Sequence, residues 1–275
     1  MDYLEYYGLK EHPFSNVVDN RFYYNSPQHS NALVKLRYAV DTGKGLAVVI
    51  GNIGTGKTTL ARLFLEELDE DRYEAALLMV VHSTVSAEWL LRKFAMQLGV
   101  SDVKGDKVEL LSQIYKRLYE IKEEGKKTVV MLDEVQMLVS MGIMEEFRGL
   151  LNMEAPEGKL VNFIFFGLPE FDNILSLDKP LRQRVAVKIR LQAFSEEDTR
   201  SYIDHRLSVA GCNNKKIFTE DALKLIFQYS KGVPRLINVV CDNALLEGYL
   251  LKTDSVDDQT TKTVAIGLDL DGAGE

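Results

Sequence analysis

The feature that most restricts what this chain can fold into is a run of eight residues, Gly51-Asn52-Ile53-Gly54-Thr55-Gly56-Lys57-Thr58, which fits GxxxxGK[ST] in full. At ordinary residue frequencies a chance match in a chain of this length is on the order of one in a hundred. The setting narrows it further. An apolar run of strand length, residues 46–50, precedes it, and Leu60, Leu63, Phe64, Leu65 and Leu68 follow at helical spacing. Phosphate binding asks for this strand, glycine loop and helix: glycines let backbone N–H groups curl around phosphate oxygens, and the helix N-terminus adds its positive end. In that setting Lys57 neutralises β- and γ-phosphate charge and the Thr58 hydroxyl ligates Mg²⁺. Gly51 to Thr58, together with the next residue, Thr59, are the expected contacts for ATP or ADP.

Asp133-Glu134 closes a second apolar run, residues 128–132. An acidic pair at a strand end is a weak sign by itself, but downstream of a P-loop it fits a Walker B element. Asp133 would hold Mg²⁺ through water, and Glu134 would orient or deprotonate the attacking water. A hydrolysing P-loop ATPase is therefore the leading reading. Phosphoryl transfer rests mostly on positioning and charge stabilisation, so a cation must also reach the γ-phosphate. The candidates are Arg182 and Arg184, ahead of a strand over 186–191, and Arg235 in Gly232-Val233-Pro234-Arg235. For each, a solvated arginine is the competing reading.

Short apolar strands alternate with helical patterns up to residue 191, which predicts an α/β fold: a parallel sheet with helices on both faces, of the P-loop NTPase kind. From Ser195 only helices follow. Ser195-Glu196-Glu197-Asp198 reads as a capping box, Thr219 caps a second helix and Pro234 opens a third. The expected organisation is an N-terminal aromatic segment and helix packing on the core (1–44), the P-loop core (45–193), a small all-α lid (194–253) and an acidic tail (254–275). Tyr3, Tyr6, Tyr7, Phe14, Phe22, Tyr23 and Tyr24 suggest an extended segment laid on a later core. The tail has few large apolar residues and is expected to be flexible or loosely docked.

Composition excludes several classes. Two cysteines, Cys212 and Cys241, cannot build a disulfide framework or a four-cysteine zinc site. The formal charge of −8 comes from 33 Lys+Arg against 41 Asp+Glu, and residues 254–275 supply −5 of it. A near-neutral remainder leaves a local basic channel open. Basic residues between 182 and 190 and between 200 and 216 could line one for DNA, or could simply sit on solvated faces. The opening residues lack a basic region before an apolar run, and no stretch of 18 apolar residues occurs, so a cytoplasmic protein without membrane insertion is expected.

Taken together these residues resemble the AAA+ ATPases of the ExeA/GspA (general secretion pathway protein A) type, including the short MshM-like members. The likeness rests on Tyr3-Leu4-Glu5-Tyr6-Tyr7-Gly8-Leu9 with Pro13-Phe14, Ser26-Pro27-Gln28-His29, the P-loop, Leu132-Asp133-Glu134-Val135-Gln136, Gly167-Leu168-Pro169-Glu170, Leu181-Arg182-Gln183-Arg184 and Gly232-Val233-Pro234-Arg235-Leu236-Ile237-Asn238. It implies a RecA-like core with a helical lid, ATP bound at subunit interfaces of a ring (a hexamer by default), and an envelope or membrane partner. Arg184 is then the arginine finger, with Arg182 in reserve, and Arg235 matches the lid arginine called sensor 2. Tyr24, Pro27 and His29 are candidate base-side contacts, because the N-terminal segment flanks adenine in such enzymes; aromatic packing explains them nearly as well. Two departures stand out. Leu168 replaces the polar residue relatives often carry after the fourth strand, and His82 stands where relatives often have Asn, a place that could restrain Glu134. A DNA-binding regulator of the TniB/TnsC transposition kind, or a nucleotide-dependent scaffold with little turnover, are the alternatives.

Overall fold

A computed structural model of the chain describes residues 2–80, 86–138, 141–156, 158–212 and 216–270. The expectation placed on His82 lies outside the described residues. In chain order the elements are α1 (Tyr3–Tyr7), α2 (Pro27–Asp41), β1 (Leu46–Gly51), α3 (Lys57–Glu66), β2 (Tyr73–Met79), α4 (Ala87–Gln97), α5 (Lys107–Glu123), β3 (Lys127–Asp133) and α6 (Met141–Leu151). They continue with β4 (Glu154–Ala155), β5 (Gly158–Lys159), β6 (Val161–Gly167), α7 (Glu170–Leu177), α8 (Lys179–Arg184), β7 (Val185–Leu191), α9 (Glu196–Val209), α10 (Glu220–Ser230), α11 (Pro234–Leu250) and α12 (Asp258–Gly267).

Two compact units result, one over residues 27–53 and 57–191, the other over 1–26, 54–56 and 192–275. The first is built on a five-stranded sheet in the order β2-β3-β6-β1-β7, with every pairing parallel. The inner strands β1, β3 and β6 are buried along almost their whole length because both faces are covered, whereas the edge strand β7 alternates exposed residues, Lys188 and Arg190 among them, with buried Ile189 and Leu191. Leu46, Val48 and Ile50 of β1 join Phe163 and Phe165 of β6 on one face, and Ala47 and Val49 join Ile164 and Phe166 on the other. Burying a side chain of the size of Phe165 stabilises by about 1.5–3 kcal/mol, so the paired layers hold the strand ends in fixed register. β6 lies between β1 and β3, which sets its C-terminal end, Gly167-Leu168, between the ends of the two strands that carry the P-loop and the acidic pair.

The second unit is helical, and it corrects three expectations. The aromatic segment does not group with α2 on the sheet; residues 1–26 cluster with α9 to α12 instead. Nor is it wholly extended: Asp2 caps a short helix over Tyr3–Tyr7 that ends on Gly8 in the left-handed region. Tyr3 donates its hydroxyl to Asp242 at 2.6 Å and Tyr7 to the Thr253 carbonyl at 3.2 Å, which fastens that helix to α11. Residues 254–270 are also no loose tail. Val256 exchanges backbone hydrogen bonds with Ile217 and Thr219, Asp257 caps α12, and Thr260, Thr261, Val264 and Ala265 are buried. The acids that look like a solvated run are partly cap residues, and the helix packs small side chains that hydrophobicity does not flag. Finally, Arg206, within the basic stretch 200–216, is buried rather than solvated.

Candidate functional site

The glycine loop leaves β1 and enters α3 as the sequence pattern requires. Gly54 and Gly56 have φ of 79° and 92°, a region that costs a residue with a Cβ and is open to glycine. Within the helical unit, to which residues 54–56 belong, the Arg235 N–H donates to the Gly54 carbonyl at 3.4 Å, and a Cβ on Gly54 would meet Val233 Cγ1 and Arg235 Cβ at 2.9 Å.

Lys57 opens α3 with its side chain folded back into the loop. Nζ donates to the carbonyls of Gly51 at 2.9 Å and Asn52 at 3.0 Å, and the residue is only 5% exposed. An ammonium has three donors, so one remains. Burial pulls its pKa below the ordinary lysine value, against an upward pull from Glu134, then Asp133, then Glu170. The neighbouring Thr58 hydroxyl donates to Asp133 Oδ2 at 2.6 Å, which joins the P-loop helix to the end of β3. Asp133 is fully buried. That burial raises its pKa above the usual carboxylate value, while the bonds from Thr58 and from the Glu134 N–H, at 2.9 Å to Oδ1, lower it.

Glu134 takes a left-handed backbone conformation, φ 58° and ψ 37°, which is uncommon for a residue with a Cβ and marks a position held there by its surroundings. Its carboxylate accepts from Gln136 Nε2, and Gln136 Oε1 accepts the Leu168 N–H at 3.0 Å. The sequence pattern alone assigns no role to Gln136. The sign was there in the Asp-Glu-x-Gln spacing, but its second anchor is set by strand order.

A cation and an acid, both disfavoured by burial, lie with a hydroxyl and a second carboxylate at the ends of β1 and β3. A ligand that brings its own charge would be complementary to such a site. A nucleoside phosphate with Mg²⁺ would fit it, with Lys57 donating to an anionic oxygen. Thr58 and Asp133 carry hard oxygen atoms of the kind that would hold Mg²⁺ when phosphate supplies others, Asp133 through water. Among the described residues no cluster of three His, Cys, Asp or Glu side chains could hold a metal by itself.

The remaining candidates fall elsewhere. Arg184 is engaged within its own unit, donating to the Pro180 carbonyl at 3.0 Å and to Asn152 Oδ1 at 2.8 Å. Arg182 is exposed and its side chain makes no ion pair among the described residues. Tyr24 belongs to the helical unit, edge-on to Phe194 and Tyr202 with its hydroxyl on Asp198 at 3.4 Å. Pro27 and His29 belong to the sheet unit, Pro27 as the first residue of α2 and His29 buried in its first turn. Thr59 follows Thr58 on α3 and is half-buried.

Several known proteins resemble this chain in sequence or fold. An AAA domain model matches residues 40–175. General secretion pathway protein A of Aeromonas hydrophila is 34% identical over 250 residues, covering 90% of this chain and 45% of that protein. An uncharacterized HTH-type transcriptional regulator of Methanocaldococcus jannaschii is 21% identical over 149 residues, 52% of this chain and 36% of that one. The chain thus spans less than half the length of these relatives. Among solved structures, the ADP form of the Aeropyrum pernix ORC2 protein superposes with a TM-score of 0.69 at 16% identity, over 92% of this chain and 71% of that chain. The Thermotoga maritima RuvB Holliday junction branch migration motor gives 0.58 at 18% identity, over 88% and 70%.

Proposed function

Because the chain belongs to the AAA+ ATPases related to general secretion pathway protein A, we propose that it binds and hydrolyses MgATP as an oligomer to drive or regulate assembly of a cell-envelope machine of the secretion or pilus type. The observation that carries the hydrolytic part is the Thr58–Asp133 hydrogen bond at 2.6 Å beside the buried Lys57 ammonium. Bound nucleotide supplies the transferable phosphoryl group. The loop N–H groups and Lys57 hold its charge, Thr58 and Asp133 hold Mg²⁺, and Glu134 receives the proton of the attacking water. Arg235 is the lid arginine, and Tyr24, Pro27 and His29 remain proposed contacts on the base side.

A finger acts from a neighbouring copy, so turnover needs oligomers, with a hexameric ring as the starting assumption. Arg184 is the proposed finger with Arg182 in reserve; because Arg182 makes no ion pair among the described residues, the two single variants are the deciding pair. No helix among the described residues is long and apolar enough to cross a membrane, and a cytoplasmic protein recruited to the inner membrane by a partner is the location proposed.

A DNA-binding regulator is the second reading, favoured by the relative described as a transcriptional regulator. Against it, Lys188 and Arg190 of β7 are both ion-paired with Asp172, which leaves less free charge on that strand for phosphates. The test is ATP turnover against protein concentration for wild type, Lys57→Ala, Glu134→Gln, Arg182→Ala and Arg184→Ala, with and without double-stranded DNA at two salt concentrations. Turnover that rises cooperatively, falls with Lys57 and Glu134 and ignores DNA supports the envelope motor. DNA stimulation that weakens with salt supports the regulator, and tight ATP binding without turnover leaves a scaffold.

A further inference from the structure

Gln136 is the polar group at the site for which the sequence supplied no role. Its carboxamide spans two fixed partners: Oε1 accepts the Leu168 N–H at 3.0 Å, and Nε2 donates to Glu134 Oε2. The partners settle which way the amide faces. A backbone N–H can only donate and a carboxylate can only accept, so the oxygen must lie toward Leu168 and the nitrogen toward Glu134. The end of β6 is cut away to admit this contact. A Cβ on Gly167 would come within 2.8 Å of Val135 Cγ1 and 3.3 Å of Gln136 Oε1. Leu168 offers an apolar side chain at the strand end between the P-loop and the acidic pair, so polar contact from β6 reaches Glu134 through its backbone and this amide.

We propose that Gln136 is the positioning residue of Glu134, a strut that fixes one carboxylate oxygen from the end of β6 and leaves the other for the attacking water. It does by a relay what the apolar Leu168 side chain cannot do directly. The proposal rests on the hydrolytic reading of the site, and its test keeps the two apart.

In the full chain, Gln136→Ala removes the strut, and Gln136→Glu keeps an acceptor for the Leu168 N–H while replacing the donor to Glu134 with a like charge. Both should lower kcat by about 10- to 100-fold, the range for losing an outer-shell partner of a reacting group, with KM for ATP and the melting temperature unchanged. An unchanged or raised kcat in both variants overturns the proposal, as does a fall in kcat matched by lost nucleotide affinity or stability, which makes Gln136 merely structural. The second arm needs no hydrolysis. In ¹⁵N-labelled protein without nucleotide, the side-chain amide signal of Gln136, assigned by its loss in Gln136→Ala, should shift in Glu134→Gln. A signal that does not move overturns the pairing whether or not the protein turns over ATP. A signal that moves in a wild-type protein that binds ATP without turnover sinks the hydrolytic reading, and the positioning role with it.

Discussion

Among the described residues, each compact unit buries one cation that makes no ion pair with a carboxylate, and the two are held differently. Lys57, in the sheet unit, rests on two carbonyls of its own loop, Gly51 and Asn52, with a third donor left over. Arg206, in the helical unit, is buried to a similar degree. Nε donates to the Pro13 carbonyl, one terminal nitrogen to the Ser15 carbonyl at 2.9 Å and the other to the Tyr202 hydroxyl at 2.8 Å. The rings of Phe22 and Tyr202 lie 4.9 and 5.5 Å from its guanidinium carbon. A guanidinium stays charged and has a planar fork that several fixed acceptors can satisfy at once, whereas an ammonium shifts its pKa readily and turns about a flexible stem. Arg206 therefore fastens the N-terminal segment to α9. Lys57 holds its charge on a flexible stem, within the field of Glu134, Asp133 and Glu170, where a phosphate could also engage it.

The same substitution at both positions should separate these roles. Lys57→Met keeps the apolar stem and removes the charge. It should cut ATP turnover by about 10³-fold, roughly 4 kcal/mol of transition-state stabilisation, while urea unfolding of the nucleotide-free protein shows stability no lower than wild type. A large loss of stability would make Lys57 structural and erase the contrast. Arg206→Met should cost about 3 kcal/mol in unfolding free energy, because the Pro13 and Ser15 carbonyls lose charged donors and stay buried. Limited proteolysis should then cut first within residues 2–26. Unchanged stability would show that the rings alone hold the segment.

Tyr202→Phe is the finer probe of the helical unit. The hydroxyl accepts from Arg206 and donates to Asn238 Oδ1 at 2.8 Å, and Asn238 in turn donates to Asn16 at 3.0 Å. Its removal leaves a buried carbonyl oxygen without its donor and should destabilise by about 2 kcal/mol. Paired with Arg206→Met in a double-mutant cycle, the two losses should fall short of additive, because they share one network.

The two cations also differ in how far the sequence discloses them. Lys57 is legible because its chemistry is local: loop, strand and helix are contiguous, and the motif names each residue's place. Asp133 follows from the same pattern, since strands alternating with helices imply a parallel sheet whose strand ends meet. Arg206 reads as one more charge in a polar stretch, because its partners are backbone carbonyls nearly two hundred residues earlier in the chain. The helix α12 is hidden for a different reason. It buries threonine and alanine, and its acids act through the Asp257 cap. Gln136 stands out only once β6 is known to lie between β1 and β3, a matter of topology that spacing does not encode.

The smallest expected effect tests the proposition that the site's charges oppose folding until a ligand arrives. Burial holds the Asp133 carboxyl above its ordinary 3.8, so between that value and its raised native pKa the folded chain binds more protons than the unfolded one. Its contribution to stability is therefore lost as pH rises through that window. Lys57 has the opposite shift: with its native pKa below the ordinary 10.5, the unfolded chain binds more protons between the two values, and stability rises with pH there. At neutral pH both charged forms oppose the nucleotide-free fold. Asp133→Asn keeps an oxygen for the Glu134 N–H, presents an amide N–H that the Thr58 hydroxyl must turn to accept, and removes the buried charge. It should raise stability by about 1 kcal/mol, the usual gain from relaxing a functional site, and flatten the unfolding free energy measured between pH 4 and pH 7. A less stable variant with the wild-type slope would mean that Thr58 and Lys57 already compensate the carboxylate, and that the sheet unit, like the helical one, is satisfied without a ligand.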